Sequence, residues 1–261
     1  SDDWEASICT GSVFYHDGIF HGYYATRKKD WSEHLSVAVS QDAIHFTKTE
    51  PRIFASPEGP YRPGPYRDPF VFQDEQIGLF HLIATAELKD PEFPGHGGCL
   101  AHLTSKDLTT WTTEAPFYVP GYHGQPECSE LFYWNKWYYL IFSIDGIARY
   151  RMARHWNGPW ITPAVDTLDS PMARVMKTAA FGDRRIGVAF LPTLENDKDD
   201  GNWQYAGVTL FREIRQDFRG YLWTSFVPEM IPATGSPLSL KPLSIPEGVS
   251  YTDNRIEIAR A

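Results

Sequence analysis

Aromatic-rich, strand-like hairpins recur along this chain, and two of them open on a carboxylate, Asp68 and Glu127, 59 residues apart. A chain that repeats at such an interval is restricted to arrays of similar units. In a propeller-like array, residues at the same place in successive units converge on one axis. Two acidic side chains distant in sequence can then face one cavity.

The hairpins define the units. Ser12 to His16, a turn at Asp17-Gly18, and Ile19 to Tyr24 form the first, because Asp-Gly supplies the positive φ values of a two-residue turn. Glu130 to Trp134, Asn135-Lys136, and Trp137 to Phe142 form a second; Pro69 to Phe72, a polar loop at Gln73 to Gln76, and Ile77 to Thr85 form a third. A fourth unit runs from Met176 through Gly182-Asp183 to Phe190 and continues with Trp203 to Phe211 and Tyr221 to Phe226. Taking Gly11, Asp68, Glu127 and Thr178 as matching points gives spacings of 57, 59 and 51 residues, the size of a four-stranded blade with its loops. Ser40-Gln41-Asp42 with Phe46 and Ser105-Lys106-Asp107 with Trp111 repeat the same spacing and read as turn stabilisers, since Ser and Asp hydrogen-bond local backbone. The expectation is an all-β propeller with four legible blades; an aromatic-rich β-sandwich is the alternative.

Composition narrows the function. The net charge of -9 has the wrong sign for phosphate, so neither nucleic acid nor anionic membrane is an expected partner. No apolar run approaches the roughly 20 residues of a membrane span, and the longest, Trp137 to Ile144, has the length of a strand; a soluble protein is expected. The start lacks the basic and apolar regions of a signal peptide, and localisation stays open between secreted, periplasmic and cytoplasmic. Cys9, Cys99 and Cys128 fit neither a disulfide framework nor a metal pattern. Beyond Pro228 the chain turns Pro- and Ser-rich, which suggests a propeller over residues 1–232 and a linker over 233–261 that leads into another element.

Chemistry concentrates at two strand entrances. In Arg67-Asp68-Pro69 the proline removes a ladder donor and is expected to hold Asp68 extended, which would restrict where its carboxylate points. Glu127-Cys128 follows the loop Gly121 to Pro126 and enters the most aromatic strand pair of the chain. A carboxyl among aromatic rings loses hydration of its charged form and is expected to shift towards a general acid.

Thr10-Gly11-Ser12, Arg67-Asp68-Pro69 and Glu127-Cys128, in that order, resemble the motifs of glycoside hydrolase family 32, the β-fructofuranosidases that include invertases, inulinases and levanases. Gly182-Asp183-Arg184-Arg185-Ile186, Trp203, Arg212-Glu213 and Pro228-Glu229 resemble the family's last blade, so the likeness covers most of residues 4–230. The resemblance implies a five-bladed propeller followed by a β-sandwich, with no metal or organic cofactor. It implies a glycosidase that releases terminal β-fructofuranosyl units from sucrose or fructans with retention of configuration. Glu127 would be the acid/base and Asp68 the carboxylate that holds fructose hydroxyls and stabilises the transition state. Arg67, Cys128, Thr10, Ser12, Trp203 and Lys177 would bind the sugar, Trp203 by stacking.

The chain departs from that pattern in one respect. The family's nucleophile is an aspartate in an Asn-Asp-Pro stretch upstream of the Thr10 region, and no Asn-Asp-Pro occurs here. Three readings compete: a longer protein whose first blade precedes Ser1, a carbohydrate-binding propeller without turnover, or a replaced nucleophile. An inverting, arabinanase-like glycosidase is a further alternative.

Overall fold

The computed structural model describes residues 4–231, 235, 245, 247, 249–252 and 255–258. Two units are compact by themselves, Ser1–Phe226 and Val227–Ala261. The expected linker at 233–261 falls mostly outside the described residues. Within them, β16 (Val249–Thr252) and β17 (Arg255–Ile258) pair as an antiparallel hairpin.

The first unit is a β-propeller. Strands β1 (Ser7–His16), β2 (Ile19–Arg27), β3 (Glu33–Ser40) and β4 (Thr47–Lys48) form one antiparallel meander, and β5 (Tyr61–Asp74), β6 (Leu79–Leu88), β7 (Gly98–Ser105) and β8 (Thr112–Thr113) form the next. A seven-stranded sheet then contains β9 (Glu127–Trp134), β10 (Trp137–Ile144), β11 (Ile147–Ala153), β12 (Arg174–Phe181), β13 (Arg184–Leu194), β14 (Trp203–Gln216) and β15 (Leu222–Ser225). It is two blades in series, since the single pair Ile147↔Arg174 joins β11 to β12. Bridges at Arg149↔Thr167 and Met152↔Ile161 supply the fourth rung of the third blade. The described residues thus form four blades, with β1 lying against β5, β5 against β9, and β9 against β12. These lead strands meet edge to edge about one axis, whereas a sandwich would stack two sheets face to face.

Tight turns close the blades where expected. Asp17 and Gly18 have φ of 47° and 80°, and Asn135 and Lys136 have 45° and 74°, the paired positive values of a hairpin turn. The third hairpin is displaced: β5 runs on to Asp74 and β6 starts at Leu79, so the loop is 75–78, with the Gly78 amide donating to the Asp74 carbonyl. The two Ser-x-Asp segments act as turn stabilisers. Asp42 Oδ1 accepts the amides of Ile44 and His45 at 2.9 and 2.8 Å, and Asp107 Oδ1 accepts those of Thr109 and Thr110 at 2.9 and 2.7 Å.

The core lies in the seams between blades, and strand periodicity assigns each side chain to a seam. Along β6, Leu82, Ala84 and Ala86 face the first blade and meet Tyr23, Ala25 and Leu35. Ile83, between them, turns the other way to meet Leu131, Leu140 and Phe142. Along β10, Tyr139 and Ile141 face the fourth blade, against Met176, Ala189 and Ile214. Strands buried on both faces read as continuous apolar runs, which is why Trp137 to Ile144 lacks alternation.

Candidate active site

All four lead strands carry a β-bulge near the same level. The ladder slips between Cys9 and Gly11 in β1, between Arg67 and Phe70 in β5, opposite Ile141 to Ser143 in β9, and between Arg174 and Lys177 in β12. Asp68, Cys128 and Val175 sit in these bulges with φ of 57°, 51° and 53°. A left-handed residue inserted in a strand re-aims the side chains around it, at a cost of about 1–3 kcal/mol for a non-glycine. Gly11 fits the bulge of β1 because a Cβ there would lie 2.0 Å from the Tyr23 carbonyl oxygen. Gly98 lets the loop before Glu127 lie close by: a Cβ there would come within 1.9 Å of the Gly124 carbonyl oxygen.

The bulges bring Asp68 and Glu127 to one guanidinium. Arg67 Nη2 donates to Glu127 Oε1 at 2.6 Å and to Gln125 Oε1 at 2.8 Å; Nη1 donates to Glu33 Oε2 at 3.1 Å; Nε lies 3.8 Å from Asp68 Oδ2. Asp68 is 4% exposed, and its Oδ2 accepts the Cys128 amide at 2.9 Å and the Thr85 hydroxyl at 3.1 Å. Glu127, with its side chain 34% exposed, opens onto solvent. Each carboxylate therefore has one oxygen held by the protein and one, Asp68 Oδ1 or Glu127 Oε2, without a hydrogen bond among the described residues.

Burial sets the charge states around this pair. It pushes the Asp68 carboxyl above its ordinary range, aided by the nearby Glu127 charge and opposed by the Cys128 amide and Arg67. Burial alone would lower Arg67, but the Glu127 hydrogen bond and the fields of Glu33 and Asp68 outweigh it and hold the guanidinium firmly charged. Burial likewise favours the neutral form of Glu33, yet Arg27, Arg67 and the Tyr66 amide bring its carboxyl below the usual value. The Cys128 thiol is pushed up to about 12 by burial and by Asp68, so it is a neutral wall of the site; the Thr10 hydroxyl bonded to it acts the other way.

Of the residues singled out in the sequence, Thr10, Arg67, Asp68, Glu127 and Cys128 come together. Ser12 does not touch the carboxylates: its hydroxyl donates to the Pro69 carbonyl at 2.8 Å and ties β1 to the strand that carries Asp68. Lys177 spans the next seam, with Nζ donating to the carbonyls of Cys128 and Ser129 at 3.3 and 3.0 Å and lying 5.7 Å from the Phe70 ring centre. Trp203 is half exposed at the start of β14, paired with Leu194. Glu127 is held by Arg67 beside Gln125, a polar setting where aromatic neighbours were expected. Glu33, Gln125 and Tyr205 were not singled out. Gln125 links Arg67 to Glu87, which pairs with Arg62. The Tyr205 phenol is raised, by burial first and then by the fields of groups including Glu127 and Asp68; its exposed ring stands against Phe190 at 5.2 Å. Among the described residues no group of three or more His, Cys, Asp or Glu is arranged to hold a metal ion, and no helix is long and apolar enough to cross a membrane.

The family model for the "Glycosyl hydrolases family 32 N-terminal domain" matches residues 1–224. The chain belongs to that family. Similar solved structures agree on the fold of this family 32 chain. Fructan 1-exohydrolase IIa from Cichorium intybus, in complex with 1-kestose, matches with a TM-score of 0.72 and 16% identity over 88% of this chain and 49% of its own. Sucrose-6-phosphate hydrolase from Lactobacillus gasseri gives 0.66 and 18% over 87% and 50%. Xylan β-1,4-xylosidase from Bacillus halodurans gives 0.63 and 16% over 95% and 50%. The family 32 chain therefore spans about half the length of these proteins, and the likeness to a xylosidase means that the fold by itself does not choose the sugar. Curated proteins yield no match to it.

Proposed function

We propose that this chain forms the sugar-cleaving propeller of a glycoside hydrolase that acts on terminal β-fructofuranosyl units of sucrose or fructans. One observation supports the reading: Asp68 and Glu127, from neighbouring blades, share Arg67, and each keeps one oxygen that no hydrogen bond among the described residues engages. Family membership supports the fructosyl class.

Glu127, the more exposed of the two, is suited to exchange a proton with the leaving-group oxygen. Asp68, fixed by the Cys128 amide and the Thr85 hydroxyl, is suited to accept hydrogen bonds from sugar hydroxyls that strengthen as positive charge develops on the ring. Arg67 orients both, and Thr10 and Cys128 form the adjoining wall. Trp203 and Lys177 flank the sugar in this reading, with Ser12 acting through Pro69. Neither metal nor organic cofactor takes part. The attacking carboxylate of a retaining mechanism is assigned to no residue of this chain.

General acid catalysis contributes about 10²–10⁴ in rate. Glu127→Gln is therefore expected to lower kcat on sucrose or inulin by that factor while fructose binding, followed by calorimetry, is kept. Fructosides with a nitrophenol leaving group, which needs less protonation, should lose far less. Equal losses on both substrate types, or unchanged turnover, would remove Glu127 from the role.

A further inference from the structure

The strands that carry the candidate active site at one end border a cavity at the other. Phe72 to Asp74 at the close of β5 and Leu131 to Tyr133 at the close of β9 line a space of about 720 Å³ whose lining includes neither Asp68 nor Glu127. Tyr133 lies six residue steps along β9 from Glu127, about 20 Å at the rise of a strand.

Its surfaces are built for a flat, uncharged, hydroxyl-rich ligand. Trp156 provides a fixed platform: its Nε1 donates to Asp74 Oδ2 at 3.1 Å, and its ring packs against Phe72 and His81 with centres 5.5 and 4.4 Å away. Tyr133, 59% exposed, stands against Tyr138 at 4.9 Å. The exposed side chains of Gln76, His155 and Asn157, all on the lining, make no hydrogen bond among the described residues and present donors and acceptors to solvent. The lining carries Asp74, Glu75 and Arg154, one net negative charge, and two of the three are engaged. Asp74 is engaged by Trp156, and the Arg154 guanidinium lies 3.4 Å over the Trp137 ring and donates to the Lys136 carbonyl. An anion would find no concentrated positive field. A sugar ring would find aromatic carbon for its C–H face and amides for its hydroxyls, in a volume within the range of small-ligand sites.

We propose that this cavity is a second saccharide site, which holds a stretch of neutral fructan while the axial site acts on chain ends; the polymer assignment rests on the fructoside reading above. Two sites on opposite faces do not compete for one sugar unit, and together they raise the effective concentration of chain ends.

Affinity electrophoresis through gels containing inulin, levan, xylan or arabinan tests the proposal, with sucrose hydrolysis followed on the same preparations. Wild-type protein should be retarded by inulin or levan. The pair Tyr133→Ala and Asn157→Ala should weaken retardation about tenfold, the scale of one lost aromatic contact plus a hydrogen bond, without changing sucrose turnover. Asp68→Asn should leave retardation in place. Retardation equal in wild type and the cavity variants, or lost with Asp68→Asn alone, overturns the second site; retardation by xylan or arabinan in place of fructans overturns the polymer assignment. Absence of hydrolysis with cavity-dependent retardation intact would remove the catalytic reading and leave the cavity standing.

Discussion

The two middle blades and the two flanking blades are made of similar residues but meet different surroundings. In the middle pair, β6 and β10 bury both faces, each supplying side chains to two seams. In the first blade, Phe14 packs inward while Val13 and Tyr15, on the other face of β1, are 60% and 58% exposed. In the fourth, Ala189 and Ile214 are buried while Phe181 and Val208 are 65% and 62% exposed. Aromatic and branched residues therefore do not make a blade stable by themselves; a neighbour on each face does. The functional pair follows the same division, since Asp68 and Glu127 belong to the middle blades and Arg67 reaches from them to Glu33 in the first.

Removing Arg67 should test this contrast most severely. Arg67→Ala leaves Glu33, Asp68 and Glu127 without their shared cation and is expected to cost about 3–5 kcal/mol in urea unfolding. Loss of a surface pair such as Arg219 with Asp217 should cost no more than about 1 kcal/mol. Equal effects would mean that the seam is no more desolvated than the rim.

Core truncation comes next. Leu82→Ala, in a strand covered on both sides, should cost about 2–5 kcal/mol, whereas Val13→Ala on the open face of β1 should stay within about 0.5 kcal/mol. A Val13 variant as damaging as the Leu82 one would show that the open face is covered in solution.

Acidity gives a smaller effect of opposite sign. The Asp68 carboxyl is raised on folding, so the stability linked to its protonated form is fully present below the ordinary carboxylate value of 3.8 and is lost as pH rises through the raised value. Ionised Asp68 is thus a standing cost at neutral pH. Asp68→Asn is expected to raise the urea midpoint at about pH 7 and to leave it unchanged near about pH 3. Glu33 behaves in reverse: its contribution is present above its ordinary value and is lost as pH falls through its lowered one. A midpoint for Asp68→Asn that falls at neutral pH would contradict the burial argument.

Much of this arrangement was legible in the sequence because a repeat converts linear position into angular position. Asp68 and Glu127 could be paired from matching places in their units, and the four legible blades followed from the spacing of those matching points. Glu33 was not legible: it sits on β3, in a polar stretch with Ser32 and His34, and only folding turns it inward to Arg27 and Arg67. Trp203 was legible only through the family likeness, and Tyr205, two residues later, was not legible at all; its ring packs against Phe190. The Ser12 hydroxyl was legible as a motif member and not as a tie, because its acceptor is a backbone carbonyl 57 positions away. Backbone acceptors carry no side-chain signature.

The recurrent kink in the lead strands separates address from chemistry. Three blades hold a left-handed residue at nearly the same height, filled by Asp68, Cys128 and Val175, so the backbone fixes where a group is delivered and the side chain decides what is delivered. A valine tolerates that geometry poorly, which makes the fourth blade's position a socket whose occupant could be exchanged for asparagine or aspartate with relief of strain.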